Sequence, residues 1–294
     1  MKVAVAKYPI DAPTTFEDFA DKQLAWLGEA AATGARIAVL PEYLSLELAA
    51  TFDAEVRADL RASLAAIQRH RAAWLSLFGQ IARERNLWIV AGTFLLDVGR
   101  GRYRNRADLF SPDGAHGWQD KLQLTGFEKK IGAIEGGDAL KVFALDDLRA
   151  GIAVCYDIEF PLPVRAQCEA GASLLLVPSC TDTAAGATRV RVGGLARALE
   201  NRCFVAQAVT AGEAPWSPAL DVNTGEATVY APMDVGLPAD GILVATADRQ
   251  RWAYAEVDPV RLRDSREQAQ VANDRDWPAQ CAPGLRQAKL ETLA

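Results

Sequence analysis

Only two histidines, His70 and His116, occur in 294 residues, so a catalytic thiol here has few imidazoles to pair with. His70 falls amid arginines in a helical segment. His116 lies in the turn Asp113-Gly114-Ala115-His116-Gly117, and a Cys-His pair is therefore the weaker reading. The five cysteines, at 155, 168, 180, 203 and 281, are odd in number and lack CxxC spacing. That argues against a disulfide framework and a zinc site and suits a reducing compartment. With a net charge of −6 the chain has no basic stripe for nucleic acid, and Arg69-His70-Arg71 reads as a solvated helix face. No apolar run reaches membrane-spanning length. The start, Met1-Lys2-Val3-Ala4-Val5-Ala6, is a strand pattern without the apolar core of a signal peptide. No P-loop or GxGxxG follows it. A cytoplasmic protein with no nucleic-acid or membrane partner is expected.

What the chain does have is a half-apolar composition, enough for a large core. Strand patterns occupy Val3 to Lys7, Ile37 to Leu40, Trp88 to Leu95, Tyr103 to Phe110, Gly151 to Cys155, Ser173 to Val177 and Cys203 to Ala208. Later ones lie near Thr228 and from Trp252 to Val257. Helical periodicity covers Phe16 to Thr33, Ala54 to Asn86, Pro163 to Ala170 and Ala187 to Asn201. Alternating helices and strands predict an α/β fold with mixed sheets. No Gly/Ser or Pro-rich linker divides the chain. One domain over residues 1–265 is expected, with a polar tail, residues 266–294, that is loosely held or packs on a partner subunit.

The stretch Gly151-Ile152-Ala153-Val154-Cys155-Tyr156-Asp157-Ile158-Glu159-Phe160-Pro161 carries one cysteine from a buried strand to a turn. Strand ends of open α/β sheets face the crevice where ligands bind. Glu42, in Pro41-Glu42-Tyr43, follows the apolar strand Ile37-Ala38-Val39-Leu40 and is placed in the same way. Lys121 lies just past the hairpin arm Gly117-Trp118, and Glu128 follows in Thr125-Gly126-Phe127-Glu128. Taken singly, a packed thiol, a loop acid and a surface lysine explain each of these residues.

Together they resemble the nitrilase superfamily of carbon-nitrogen hydrolases, which carries a Glu in a P-E motif, then a Lys, then a Cys in G-x-x-x-C-x-D. The likeness runs nearly end to end. Leu174-Leu175-Leu176-Val177-Pro178-Ser179 looks like the strand and turn after the nucleophile helix, and Arg197-Ala198-Leu199-Glu200-Asn201 like the R-A-x-E-N helix. The resemblance implies a four-layer αββα sandwich that pairs as a homodimer, with its tail crossing over. It also implies hydrolysis of a non-peptide C–N bond in a small linear amide, without metal or cofactor. Cys155 would be the nucleophile and Glu42 the base. Lys121, with a backbone N–H such as that of Tyr156, would stabilise the developing anion. Glu128 would support the lysine, although Glu135 is also near. For Glu42, burial and Lys121 pull its pKa in opposite directions.

Many relatives carry Arg four residues after the nucleophile, where this chain has Glu159. An acidic rim of Glu159 and Asp182 would accept amines and disfavour dicarboxylate-type amides. Ser179 and Trp216 are further candidates for lining the pocket. Gly193-Gly194 suggests close packing at a subunit contact rather than a phosphate cradle. An acyltransferase, a nitrilase and a non-catalytic binding protein are the alternatives. The physiological substrate is not legible.

Overall fold

The innermost strands are the most apolar, as expected of strands covered on both faces. The computed structural model describes residues 1–292, so the last two residues of the tail lie outside the described residues. In one sheet β1 (Lys2–Pro9), β2 (Ile37–Val39), β3 (Trp88–Gly99), β4 (Arg102–Phe110) and β5 (His116–Asp120) run in the order β5-β4-β3-β2-β1. In the other, β6 (Val142–Leu145), β7 (Leu148–Ile152), β8 (Leu174–Ser179) and β9 (Phe204–Glu213) run in the order β6-β7-β8-β9. β10 (Val222–Asn223) and β11 (Thr228–Tyr230) pair antiparallel with β9, and β12 (Ile242–Ala245) pairs with β11. β13 (Trp252–Glu256) returns antiparallel to β1. β1 joins the two sheets. Its residues 3–5 lie parallel to β2, and its residues 7–9 lie parallel to β9.

Helices cover the outer faces. On the first sheet are α1 (Phe16–Ala32), α2 (Ala54–Ala58), α3 (Leu60–Ile67) and α4 (Arg71–Arg85), with α4 against β3 and β4 and α1 against α4. The short α5 (Gly126–Ile131) follows β5. On the second sheet, α6 (Pro161–Glu169) packs on β7 and α7 (Ala184–Asn201) packs on β9 and β11. Across the interior β2 and β3 meet β8. The layers are therefore αββα, as the resemblance implied. α1 begins at a capping box in which Thr15 Oγ1 accepts from the Asp18 amide and Asp18 accepts from the Thr15 amide. It buries Phe19, Trp26, Leu27 and Ala30, the apolar stripe legible in the sequence.

Two expectations need correction. The continuous helix expected over Ala54 to Asn86 is broken into α2, α3, a 3-10 turn at Gln68–His70, and α4. Asp59 caps the start of α3, accepting from the Ala62 amide at 2.7 Å, and Gln68 Nε2 donates to the Leu95 carbonyl at 2.8 Å. Both fix breaks that leave the apolar periodicity intact. The strand expected to deliver Cys155 stops at Ile152. Cys155 instead starts a 3-10 turn, Cys155–Glu159, at φ 48°. The tail begins docked on its own chain. After α8 (Pro259–Ser265), α9 (Asn273–Asp276) lies beside α6, where Arg165 donates to the Asp274 carbonyl at 2.9 Å and stacks on Trp277. Residues 278–292 are exposed.

Candidate active site

Glu42 sits in the turn after β2, held there by a close approach. A Cβ on Gly92, at φ +63° on β3, would stand 2.1 Å from the Pro41 carbonyl oxygen. Only glycine fits that position without moving the turn. The next residue, Tyr43, takes φ 61° and opens a buried 3-10 segment, Leu44–Thr51. Glu47 anchors this segment, accepting from Tyr8 Oη at 2.6 Å, the Asp11 amide at 2.7 Å and Lys22 Nζ at 2.6 Å.

Glu42 and Lys121 are each 1% exposed and Glu128 is fully buried. Lys121 Nζ lies 2.8 Å from Glu42 Oε1 and 2.8 Å from Glu128 Oε2. Each carboxylate is further satisfied, as buried charge requires. Glu42 accepts from Asn105 Nδ2 at 2.8 Å and from the Cys180 amide at 3.1 Å. Glu128 accepts from Tyr43 Oη at 2.8 Å and from the Thr125 amide at 2.9 Å. As the third residue of α5, Glu128 also completes a capping box with Thr125. One side chain thus starts the helix and pairs the lysine.

Two carboxylates sharing one ammonium are driven apart in acidity. Burial raises Glu42 above its ordinary value, against the pull of Lys121 and with the help of the Glu128 charge. For Glu128, burial also raises, but Lys121 and the local donors outweigh it and hold it low. Burial would depress Lys121, yet its two carboxylate neighbours keep it above the normal lysine range. Such a divided pair assigns roles. Glu128 neutralises the lysine, and Glu42 is the group able to take and return a proton.

Cys155 is 5% exposed, and Sγ donates to the Cys180 carbonyl at 3.4 Å. Burial raises its thiol, the Glu42 charge adds to this, and Lys121 opposes it. At rest it is a thiol that needs a base. α7 presses on the turn that carries it. A Cβ on Gly193 would stand 3.0 Å from the Ile158 carbonyl oxygen, and Arg197 donates to that carbonyl at 3.3 Å. Gly193-Gly194 packs closely within the chain, against Ile158 and Tyr230.

Glu42, Lys121 and Cys155 line a cavity of about 300 Å³ together with Tyr43, Tyr156, Phe127, Val190, Pro218 and Ala219, while Glu128 lies behind Lys121 without lining it. Glu159, Asp182, Asp221 and Arg189 also line it. Glu159 is not the free anion expected, because Arg189 of α7 reaches it at 3.4 Å. Trp216 and Ser179 do not line the cavity. Trp216 is partly buried and packs against the core. Ser179 is fully buried at the end of β8, and its hydroxyl bonds none of the described residues. Glu135 pairs with Arg104 at 3.0 Å rather than with Lys121. His70 is sandwiched between Phe16 and Phe52, and His116 bonds Asp108 at 2.9 Å; neither lines the cavity.

Sequence reading did not single out Tyr43, Asn105, the Cys180 amide or Arg189. Asn105 had a signal: it shares a strand face with Tyr103 and Ala107, an inward place where an amide needs a buried partner. The others depend on contacts between distant segments.

The carbon-nitrogen hydrolase family model matches residues 2–267. The probable hydrolase YhcX of Bacillus subtilis is 30% identical over 280 residues, covering 94% of this chain and 53% of that protein. The chain thus spans about half the length of YhcX. Omega-amidase NIT2-A of Xenopus laevis is 26% identical over 84% of this chain and 85% of its own. Among solved structures, Saccharomyces cerevisiae Nit3, a member of branch 10 of the nitrilase superfamily, superposes with a TM-score of 0.73 at 19% identity, covering 94% of this chain and 96% of that one. A family match over most of the chain, on an αββα fold, leads to one conclusion: this protein belongs to the carbon-nitrogen hydrolase family.

Proposed function

We propose that this carbon-nitrogen hydrolase is amidase-like and cleaves a small linear amide through a thioester on Cys155. The observation that carries the reading is Lys121 Nζ, which lines the cavity with Glu42 and Cys155 and lies 2.8 Å from Glu42 and 2.8 Å from Glu128 behind it. Glu42 takes the thiol proton as sulfur attacks the amide carbon, so the thiolate forms beside a fixed ammonium. Negative charge developing on the amide oxygen meets Lys121 and the Tyr156 N–H in the first turn of the nucleophile segment. The C–N bond breaks as the nitrogen takes the proton from Glu42, and ammonia or an amine leaves. Water then gives a proton to Glu42 and its hydroxyl to the acyl carbon, the C–S bond breaks to release the acid, and Glu42 returns that proton to the departing thiolate. Each proton is accounted for without histidine.

A cavity of about 300 Å³ is at the small end of ligand sites, which favours a short substrate. The name of the omega-amidase relative supports an amide over a nitrile. The reading includes a homodimer in a reducing, cytoplasmic setting, and five unpaired thiols fit such a setting. The test is ammonia release from a panel of small linear amides and matching nitriles, by the wild type and Cys155→Ala. Release from amides that the substitution abolishes supports the reading. Release that survives it overturns the thioester.

A further inference from the structure

Lys121 and Cys155 come from different sheets, the lysine from the end of β5 and the cysteine from the turn after β7. Little in the β ladders fixes their distance. One side chain bridges them directly. Asp157, 3% exposed, accepts from the Gln123 amide at 2.7 Å, the Leu122 amide at 3.1 Å and the Val154 amide at 3.2 Å. Two of these donors directly follow Lys121, and the third directly precedes Cys155.

We propose that Asp157 is a positioning residue for the reaction, clamping the Lys121 loop to the Cys155 turn so that ammonium and sulfur meet the same substrate carbon. It touches neither the cavity nor the substrate and acts only through the two backbones. The inference rests on the thioester reading above. Burial raises Asp157 to about 6 despite its three amide donors and the nearby Lys121. A carboxyl raised above its unfolded value of 3.8 gives most stability when protonated and loses it as pH climbs through about 6, so its charge at neutral pH weakens the fold. Displacing reacting groups by about 1 Å can cost on the order of 10²-fold in rate.

The test is Asp157→Asn, assayed well below its melting temperature. We expect kcat to fall on the order of 10²-fold, with KM nearly unchanged because no cavity residue is altered, and a parallel fall in the rate at which iodoacetamide alkylates Cys155. A folded variant with wild-type kcat and alkylation rate overturns the proposal. Where Asp157→Asn does not fold, Gln123→Pro removes the shortest donor and leaves the carboxylate, and the same two outcomes apply. Wild-type hydrolysis that persists in Cys155→Ala would sink the thioester reading itself. That result is separable from Cys155-dependent turnover that ignores the clamp.

Discussion

On the floor of the cavity Glu42 and Lys121, with Glu128 behind them, are at most 1% exposed, and each charge has an opposite partner at 2.8 Å. At the mouth Asp182 and Asp221 are exposed and form no ion pair among the described residues, while Arg189 meets Glu159 at 3.4 Å. The contrast follows from solvation. A buried charge without its partner costs several kcal/mol, so floor residues stand or fall as a set and recur as a motif. A solvated charge is screened and worth about 0–1 kcal/mol, so the mouth is free to vary with substrate. On the proposed reading, chemistry belongs to the floor and selectivity to the mouth.

Substitutions can break that contrast, and the largest effect is expected on the floor. Glu42→Gln should lower kcat by about 10²–10⁴-fold, the usual worth of a general acid-base group, while the protein still binds substrate. Comparable turnover in that variant would remove Glu42 from the mechanism. Glu128→Gln sharpens the assignment of roles. With the Glu128 charge gone, Lys121 is left to Glu42 alone, and Glu42, though still raised by burial, loses the repulsion that adds to it. The acid limb of kcat/KM should then move to lower pH, with kcat down roughly tenfold because a more acidic carboxyl is a weaker base. An unmoved or rising limb would contradict the division of labour.

Gly92→Ala tests the scaffold beneath the floor. Its Cβ would meet the Pro41 carbonyl at 2.1 Å from a left-handed backbone, and a loss of about 1–3 kcal/mol in stability is expected, read by urea unfolding, together with reduced turnover. The smallest effects belong to the mouth. Arg189→Ala or Asp221→Asn should change KM by only a few-fold and leave kcat within about twofold, and added salt should erase much of the difference. A mouth variant that lost kcat as Glu42→Gln does would dissolve the contrast.

The same contrast explains what was legible in the chain. Ordered motifs mark Glu42, Lys121, Glu128 and Cys155; the structure has three of them lining one cavity and Glu128 behind it, on Lys121. The central strands were found because burial on both faces demands apolar runs. The breaks between α2, α3 and α4 were missed because they preserve helical periodicity. Cys155 was placed in a strand because the small and β-branched residues before it continue the pattern past Ile152. Trp216 looked available between two prolines, yet its ring is held against the core. Arg189 and the Cys180 amide reach the site from segments far along the chain, and no local pattern marks such contacts.

The most direct test of the account is the intact mass of the enzyme, quenched during turnover of a small amide and followed by peptide mapping. The account predicts an adduct equal to the acyl group on the Cys155 peptide, released by hydroxylamine and absent with hydrolysis in Cys155→Ala. Steady hydrolysis by Cys155→Ala, with unmodified protein at every quench time, would contradict it.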